Sequence, residues 1–278
     1  MNIILNPRLS EEQIHLIIKY ADTSYLLSRE EWLKLLKAID LLGSSGLEYQ
    51  GRWYTFTSFY SRFIDKVYAT LFLRDLVNLD DVATQGTSLL QSYSSRLLNT
   101  LATLGITEAV TRSERCLLSF CIYWWTSFGK GYIREIIIFR DLEQSRIHFV
   151  AHDLTAEEAR FAPYNLIISG MRGDVKTSTY FLHTARALAQ QNDFYITQLY
   201  DAKRRQWLDV VFMIPQTWRI INGETIESIL EHLPEILPSA AHIWVGRKQF
   251  VVIGYEDWKG KIKAMQATKG GSEHAVEN

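Results

Sequence analysis

An aspartate and a lysine separated by one residue, Asp174 and Lys176, stand in the stretch Asn165 to Thr179, NLIISGMRGDVKTST. Leu166 to Ser169 read as a buried strand, Gly170 and Gly173 frame a tight turn, and an extended run follows in which Asp174 and Lys176 flank Val175. Strand side chains repeat every two residues, so the carboxylate and the ammonium leave one face roughly 6.6 Å apart, with Val175 on the other. From Thr177 the spacing turns helical, through Tyr180, Phe181, Thr184, Ala185 and Leu188, and Thr177 or Ser178 serves as N-cap. A carboxylate placed this way helps to hold a Mg²⁺ or Mn²⁺ ion, which takes oxygen ligands. Such an ion polarises a scissile phosphate and acidifies a water, while the lysine orients the water or offsets charge on the phosphate. One carboxylate is too few, so a second oxygen ligand must arrive from a neighbouring element.

Two upstream residues compete for that place. Asp153 ends RIHFVAHD (Arg146 to Asp153), a run that reads as a strand paired with YIREIIIF (Tyr132 to Phe139). Asn165 opens the apolar part of PYNLII (Pro163 to Ile168). Together with GDVKTST these runs resemble the PD-(D/E)xK nuclease superfamily, whose signature is an acid at one strand end followed by (Asp or Glu)-x-Lys on the next strand. The resemblance covers Tyr132 to Pro215. It implies a restriction-endonuclease-like α/β half with a central mixed sheet and a Mg²⁺ or Mn²⁺ cofactor that assists hydrolysis of a DNA phosphodiester. In this scheme Asp174 and Asp153, or Asn165, hold the metal and Lys176 positions water. Asp153 is preferred as the charged residue at a strand end. Asn165 stands where the family's Pro-Asp run has its acid, and a neutral ligand there implies a weakened or inactive site. A nuclease-like protein that binds nucleic acid or a protein partner without cutting is therefore the alternative.

Other residues of the right type carry weaker signals. Lys203, Arg204 and Arg205 fall at the tip of a hairpin formed by FYITQLYD (Phe194 to Asp201) and WLDVVFMI (Trp207 to Ile214). They suit a phosphate backbone, and equally a solvated turn. His148 and His152 share a strand face and could donate to phosphate, though strand histidines are more often ordinary hydrogen-bonded residues. Glu114, in the first turn of a helix, is explained by the helix dipole, and also stands where some related nucleases have an extra acid. Gly170, Gly173, Lys176 and Thr177 brush against a phosphate-binding loop, but that motif needs Gly directly before the lysine and Val175 is there. Arg52, Trp53 and Tyr54 precede an aromatic stripe that could stack bases. Aromatics at helical spacing are more often core.

The elements that must position these residues divide the chain. Ser10 with Gln13 and Ser28 with Glu31 have capping-box spacing before Ile14, Ile17, Ile18 and Ala21, and before Trp32, Leu35, Leu36, Ile39 and Leu42. Gly43 to Gly51 reads as a loop. Phe56, Phe59, Tyr60, Phe63, Ile64, Val67, Tyr68 and Leu71 keep the three-four spacing of a helix. Asp80, Asp81 and Gly86 mark a break before a helix through Leu90, Tyr93, Leu97 and Leu101, and Leu117 to Trp125 form a further helix. After Gly129 and Gly131 the character turns extended. Thr155 to Phe161 and Glu224 to Leu237 read as helices, HIWVGRKQFVVIGY as a hairpin, and the chain from Lys259 as a frayed tail.

The expected fold class is α+β: an α-helical domain over residues 1–129, a nuclease-like α/β domain over 130–258, and a flexible tail over 259–278. The hydrophobic fraction of 47% supports a sizeable core, so the chain is not disordered. A formal net charge of −1 gives no global attraction to nucleic acid, so any contact with DNA must come from a local basic patch. Cys116 and Cys121 are the only cysteines, too few for a disulfide framework or a zinc site. They read as buried small hydrophobes in a reducing cytoplasm. No signal peptide or membrane span is expected, and the helical half is free to take a protein partner.

Overall fold

A computed structural model describes residues 2–23, 27–106, 111–154, 164–177, 192–201, 205–214, 241–245 and 248–273. The chain is α+β and divides into two compact units, Met1–Ile133 and Arg134–Asn278. The division falls inside one long helix.

The first unit is mainly helical. Helices α1 (Glu11–Thr23) and α2 (Arg29–Leu42) begin at the expected capping boxes. Gln13 N–H donates to Ser10 Oγ and Glu31 N–H to Ser28 Oγ, both at 3.2 Å. Residues 43–51 do not form a plain loop. β1 (Asn2–Ile4), β2 (Gly46–Tyr49) and β3 (Arg52–Thr55) make a small antiparallel sheet, turned through Gln50 and Gly51 at positive φ.

The aromatic stripe of 56–71 is helical but is interrupted. α3 (Phe56–Tyr60) widens into a π-turn over Ser61–Asp65 before α4 (Lys66–Val77). A π-turn adds a residue to the helical repeat and rotates everything after it. Val67 and Leu71 therefore come out exposed, at 50% and 39%, while Ala69, Phe72, Leu73 and Leu76 turn inward. Asp81 caps α5 (Val82–Thr103), whose interior includes Gly86. Phe72, Tyr93 and Trp125 stack edge and face at the centre of this unit.

Trp125 belongs to α6 (Arg112–Gln144), and here the sequence reading of 132–139 is overturned. YIREIIIF is not a strand paired with 146–153. It lies in the second half of a 33-residue helix. Tyr132, Ile136, Phe139 and Leu142 are buried at the three-four spacing of one helical face. Gly129 and Gly131 do not break the helix. A Cβ on Gly129 would lie 2.2 Å from Leu90 Cδ1, so the glycine admits a neighbouring leucine.

The second unit is built on a seven-stranded mixed sheet of order β4-β5-β6-β7-β8-β10-β9. Its strands are β4 (Val150–Ala151), β5 (Leu166–Ile168), β6 (Met171–Val175), β7 (Phe194–Asp201), β8 (Gln206–Met213), β9 (Ala241–Val245) and β10 (Lys248–Gly254). Every pairing is antiparallel except β6 with β7. The chain from Lys259 is not a frayed tail: α7 (Tyr255–Glu273) lies against β8 and β10. Its Trp258 and Ile262 are fully buried, and the Trp258 ring sits 5.2 Å from that of Phe194. Lys259 Nζ and Tyr255 Oη each bond Asp141 Oδ2 at 2.8 Å, which ties α7 to the end of α6. Lysines at helical spacing had disguised this apolar face.

The helices expected from Thr177, over 155–161 and over 224–237 fall outside the described residues, as do Lys203 and Arg204. Among the described residues no helix is long and apolar enough to cross a membrane.

Candidate functional site

The β5–β6 hairpin turns through Ser169 and Gly170, at φ 50° and 85°. Two consecutive positive φ angles are the mark of a type I′ turn, whose twist matches that of paired strands. Gly173 is not part of the turn but lies within β6, opposite Phe194 of β7. A Cβ there would fall 2.1 Å from Phe194 Cζ. The absent side chain lets the two strands close over a fully buried ring, and this brings Asp174 into register with Tyr195. Lys176 N–H then donates to Ile196 O at 2.8 Å, the last bond of the parallel pair.

At this strand end Lys176 Nζ stands 2.6 Å from Asp174 Oδ2. The carboxylate is 8% exposed. Burial holds its pKa above the usual carboxylate range, and Lys176 pulls it back toward ionisation. Asn165, just before β5, bonds Gly173 O through its backbone N–H at 2.9 Å. Its side-chain Oδ1 accepts the Val175 N–H at 2.6 Å. Of the two upstream residues, Asn165 is thus the one seated across from Asp174, fastened to its strand.

The second carboxylate in the field of Asp174 comes from α6. Glu135 is 8% exposed. Burial raises its pKa, His152 opposes the rise, the like charge of Asp174 adds to it, and Lys176 opposes it. His152 Nε2 lies 3.6 Å from Glu135 Oε2, an ionic distance beyond hydrogen bonding. The other ring nitrogen, Nδ1, faces Tyr164 O at 3.2 Å and so carries a proton. Glu135 Oε2 and His152 Nε2 are buried atoms with no hydrogen-bond partner. Two buried carboxylates, one of them paired with a lysine, thus have raised pKa values, and perturbed acids of this kind concentrate at functional sites.

Asp153 follows His152 beyond β4 and is exposed. The charges that act most on Asp174 are Lys176 and His152, those of its own strand end and of the next element. His148 is exposed, and its backbone N–H and C=O bond the side-chain amide of Gln266 of α7, so the two histidines have different surroundings. Glu114 closes a capping box with Thr111 at the start of α6, its N–H donating to Thr111 Oγ1 at 3.2 Å. Arg205 is exposed at positive φ where β8 begins. Sequence reasoning missed Glu135 because its run was taken for a strand. The signal was present: a lone acid on the apolar face defined by Tyr132, Ile136 and Phe139 is out of place unless the face serves something besides packing.

Among the described residues no group of three or more His, Cys, Asp or Glu side chains is placed to hold a metal by itself. Two carboxylates suit Mg²⁺ nonetheless, since it is usually bound by one or two carboxylates with waters and phosphate oxygens completing its shell. The unpartnered Oε2 of Glu135 and the raised pKa values of both acids fit a site completed by a cation. No family model, no curated protein and no solved structure matches this chain.

Proposed function

We propose that the chain is a metal-dependent DNA endonuclease of the PD-(D/E)xK type, with a restriction-endonuclease-like second unit. The observation that carries this reading is the buried Asp174 held 2.6 Å from Lys176 at one end of β6, with a second buried acid, Glu135, near enough for the two like charges to oppose one another. The element order supports it too. A helix bearing an acid precedes a hairpin whose second strand carries Asp-Val-Lys, and that strand pairs in parallel with the next.

Glu135 and Asp174 would hold the cation, Mg²⁺ or Mn²⁺. When bound, such an ion polarises the scissile phosphate and acidifies a water. Asp174 is presented by a strand locked on both sides, by the Asn165 side chain and by β7, so its oxygens need little reorganisation. Lys176 offers three N–H donors at the same strand end; it orients the attacking water and offsets charge gathering on the phosphate. His152, held by Tyr164 O, keeps positive potential near Glu135 and favours the ionised carboxylate.

Plasmid nicking in Mg²⁺ or Mn²⁺ tests the reading. Wild type should cleave, and Asp174→Ala and Lys176→Ala should each lose at least about a hundredfold, the scale of a general acid–base or electrostatic contribution. Equal cleavage by all three would assign the activity to a contaminant. The non-catalytic alternative is favoured by one feature: Asn165 occupies the acid position of the family motif and spends its oxygen on Val175 N–H. Tight DNA binding without cleavage in either metal would select it.

A further inference from the structure

The register of β4, β5 and β6 lays two rows of side chains across one sheet face. Residues paired directly across antiparallel strands share a face, and the next row on that face lies two residues along. Val150 pairs with Ile167, and Ile167 with Arg172, which makes the first row. The second holds His152, Asn165 and Asp174, where His152 N–H donates to Asn165 O at 3.2 Å and Asn165 N–H to Gly173 O at 2.9 Å. The rows differ in cover. Asp174 is 8% exposed, whereas Val150 is 68% exposed, Arg172 is exposed and Ile167 is half-buried. On the opposite face Leu166, Ile168, Met171 and Val175 are all buried. The first row is therefore an open shelf about 10 Å across, at roughly 5 Å per strand spacing. It leads into the acidic site one strand repeat away, about 6.6 Å along β6.

Arg172 is arranged to bind an anion. Its guanidinium carbon lies 5.5 Å from the centre of the Tyr164 ring. Stacking on an aromatic face steadies a guanidinium without spending its N–H donors, and among the described residues those donors have no ion pair or hydrogen bond. The carboxylate of Asp193 is spent on the backbone instead. Arg172 N–H donates to Asp193 Oδ2 at 2.7 Å, and Asp193 N–H to Arg172 O at 2.8 Å. Those two bonds fix the strand at Arg172 while leaving its side chain unneutralised. Tyr164 is fastened to the site as well, since its carbonyl faces His152 Nδ1 at 3.2 Å. It stands one residue before Asn165, so the stacking contact draws the guanidinium along the strand toward Asp174.

We propose that Val150, Ile167 and Arg172 form a subsite for the nucleotide next to the scissile phosphate. The Arg172 fork takes that nucleotide's own phosphate, and Val150 and Ile167 carry its sugar and base. The proposal rests on the phosphodiesterase reading above and narrows its substrate to a strand with two consecutive phosphates. A planar guanidinium matches phosphate oxygens with paired N–H donors, and a chain of net charge −1 must meet a polyanion through such local cations. One strand repeat between Arg172 and Asp174 is an interval that a single nucleotide can bridge. The valine and isoleucine side chains offer no hydrogen-bonding group, so the shelf admits any base and does not read sequence.

The test compares two small substrates in the full chain: the thymidine dinucleotide TpT, with one phosphate, and the trinucleotide TpTpT, with two. With Mn²⁺, wild type should cleave TpTpT with a kcat/KM about tenfold above that for TpT, the scale of a hydrogen bond to a charged group. Arg172→Ala should bring that ratio close to one, through KM rather than kcat, because the contact is made equally before and during the reaction. Arg172→Lys should keep part of the preference as a point charge without the fork, and Val150→Asp should reduce it by setting a like charge beside the phosphates. Fluorescence anisotropy of labelled TpTpT, without divalent metal, follows binding where no cleavage occurs, and Arg172→Ala should weaken it about tenfold. A trinucleotide preference kept in Arg172→Ala, or equal losses on both substrates, would overturn the subsite. If wild type cleaves neither substrate, the metal-dependent reading fails. The anisotropy then decides the subsite alone, which stands if Arg172→Ala loses trinucleotide binding and falls if binding is unchanged.

Discussion

Replacing Gly173 by alanine puts the close approach of β6 and β7 under direct strain. The new Cβ would lie 2.1, 2.2 and 2.8 Å from three atoms of the Phe194 ring. That ring is fully buried and packed on Trp258, so it has no room to swing away. Either the ring leaves its rotamer or the strands part, and overpacking of this kind costs about 1–3 kcal/mol. Parting the strands would lengthen the Lys176–Ile196 bond and tilt Asp174 away from Glu135, so the cost should appear in metal affinity as well as in stability. Shrinking the ring separates the two effects. Phe194→Leu alone leaves a cavity and destabilises, but in combination with Gly173→Ala it supplies the missing space. The double variant should be clearly more stable than the sum of the single losses predicts, a coupling expected between contacting residues. Native-state hydrogen exchange at the Val175, Ile196 and Val211 amides reads this in the second unit alone. Strict additivity, or a Gly173→Ala chain as stable as wild type, would refute the account of why glycine stands there.

Further outcomes follow from the same contacts. Gly131→Ala should stabilise α6 by about 0.5–1 kcal/mol through helix propensity, since nothing lies within 4 Å of its Cβ. Gly129→Ala should lose that gain to its clash with Leu90; urea unfolding of the pair checks whether 129–131 is helical at all. Glu135 and Asp174 both hold protons more tightly folded than unfolded. Their contribution to stability without metal should therefore be greatest below the usual carboxylate range and be lost as pH rises through it toward neutrality. Glu135→Gln should flatten that fall and stabilise the metal-free chain near neutral pH, in urea titrations at about pH 5 and about pH 7. Burial pushes the Cys116 thiol from 9.0 to about 11 and the Cys121 thiol to about 12. Both should resist iodoacetamide in the folded chain and react once unfolded, and stability should fall as pH rises above 9.0, where only unfolded thiols ionise.

Much of the site's frame was legible from residue order alone. The order strand, glycine turn, strand was legible, although the turn is the tighter Ser169-Gly170 and Gly173 lies inside β6, and the alternation of Asp174, Val175 and Lys176 has one strand solution. The capping boxes at Ser10 and Ser28 are local hydrogen-bond chemistry and needed no tertiary context. What failed shares a cause. The β-branched run Ile136 to Ile138 suits a strand and a buried helix equally, and only its continuity with Trp125 decides between them. With the helix went Glu135, whose burial on an apolar helical face a strand reading does not show. The π-turn at Ser61–Asp65 shifted the inward face of α4 in a way that no period predicts, and the lysines of α7 hid Trp258 and Ile262. In each case long-range packing overrode a pattern that could be read two ways.

Titration calorimetry with Mn²⁺ tests the central claim most directly: that Glu135 and Asp174 meet at a single cation beside Lys176. Wild type should bind one ion per chain, Glu135→Gln and Asp174→Asn should each weaken it by at least about tenfold, and Asp153→Asn should bind like wild type. Lack of Mn²⁺ binding by wild type, or binding lost in Asp153→Asn and kept in Glu135→Gln, would contradict it.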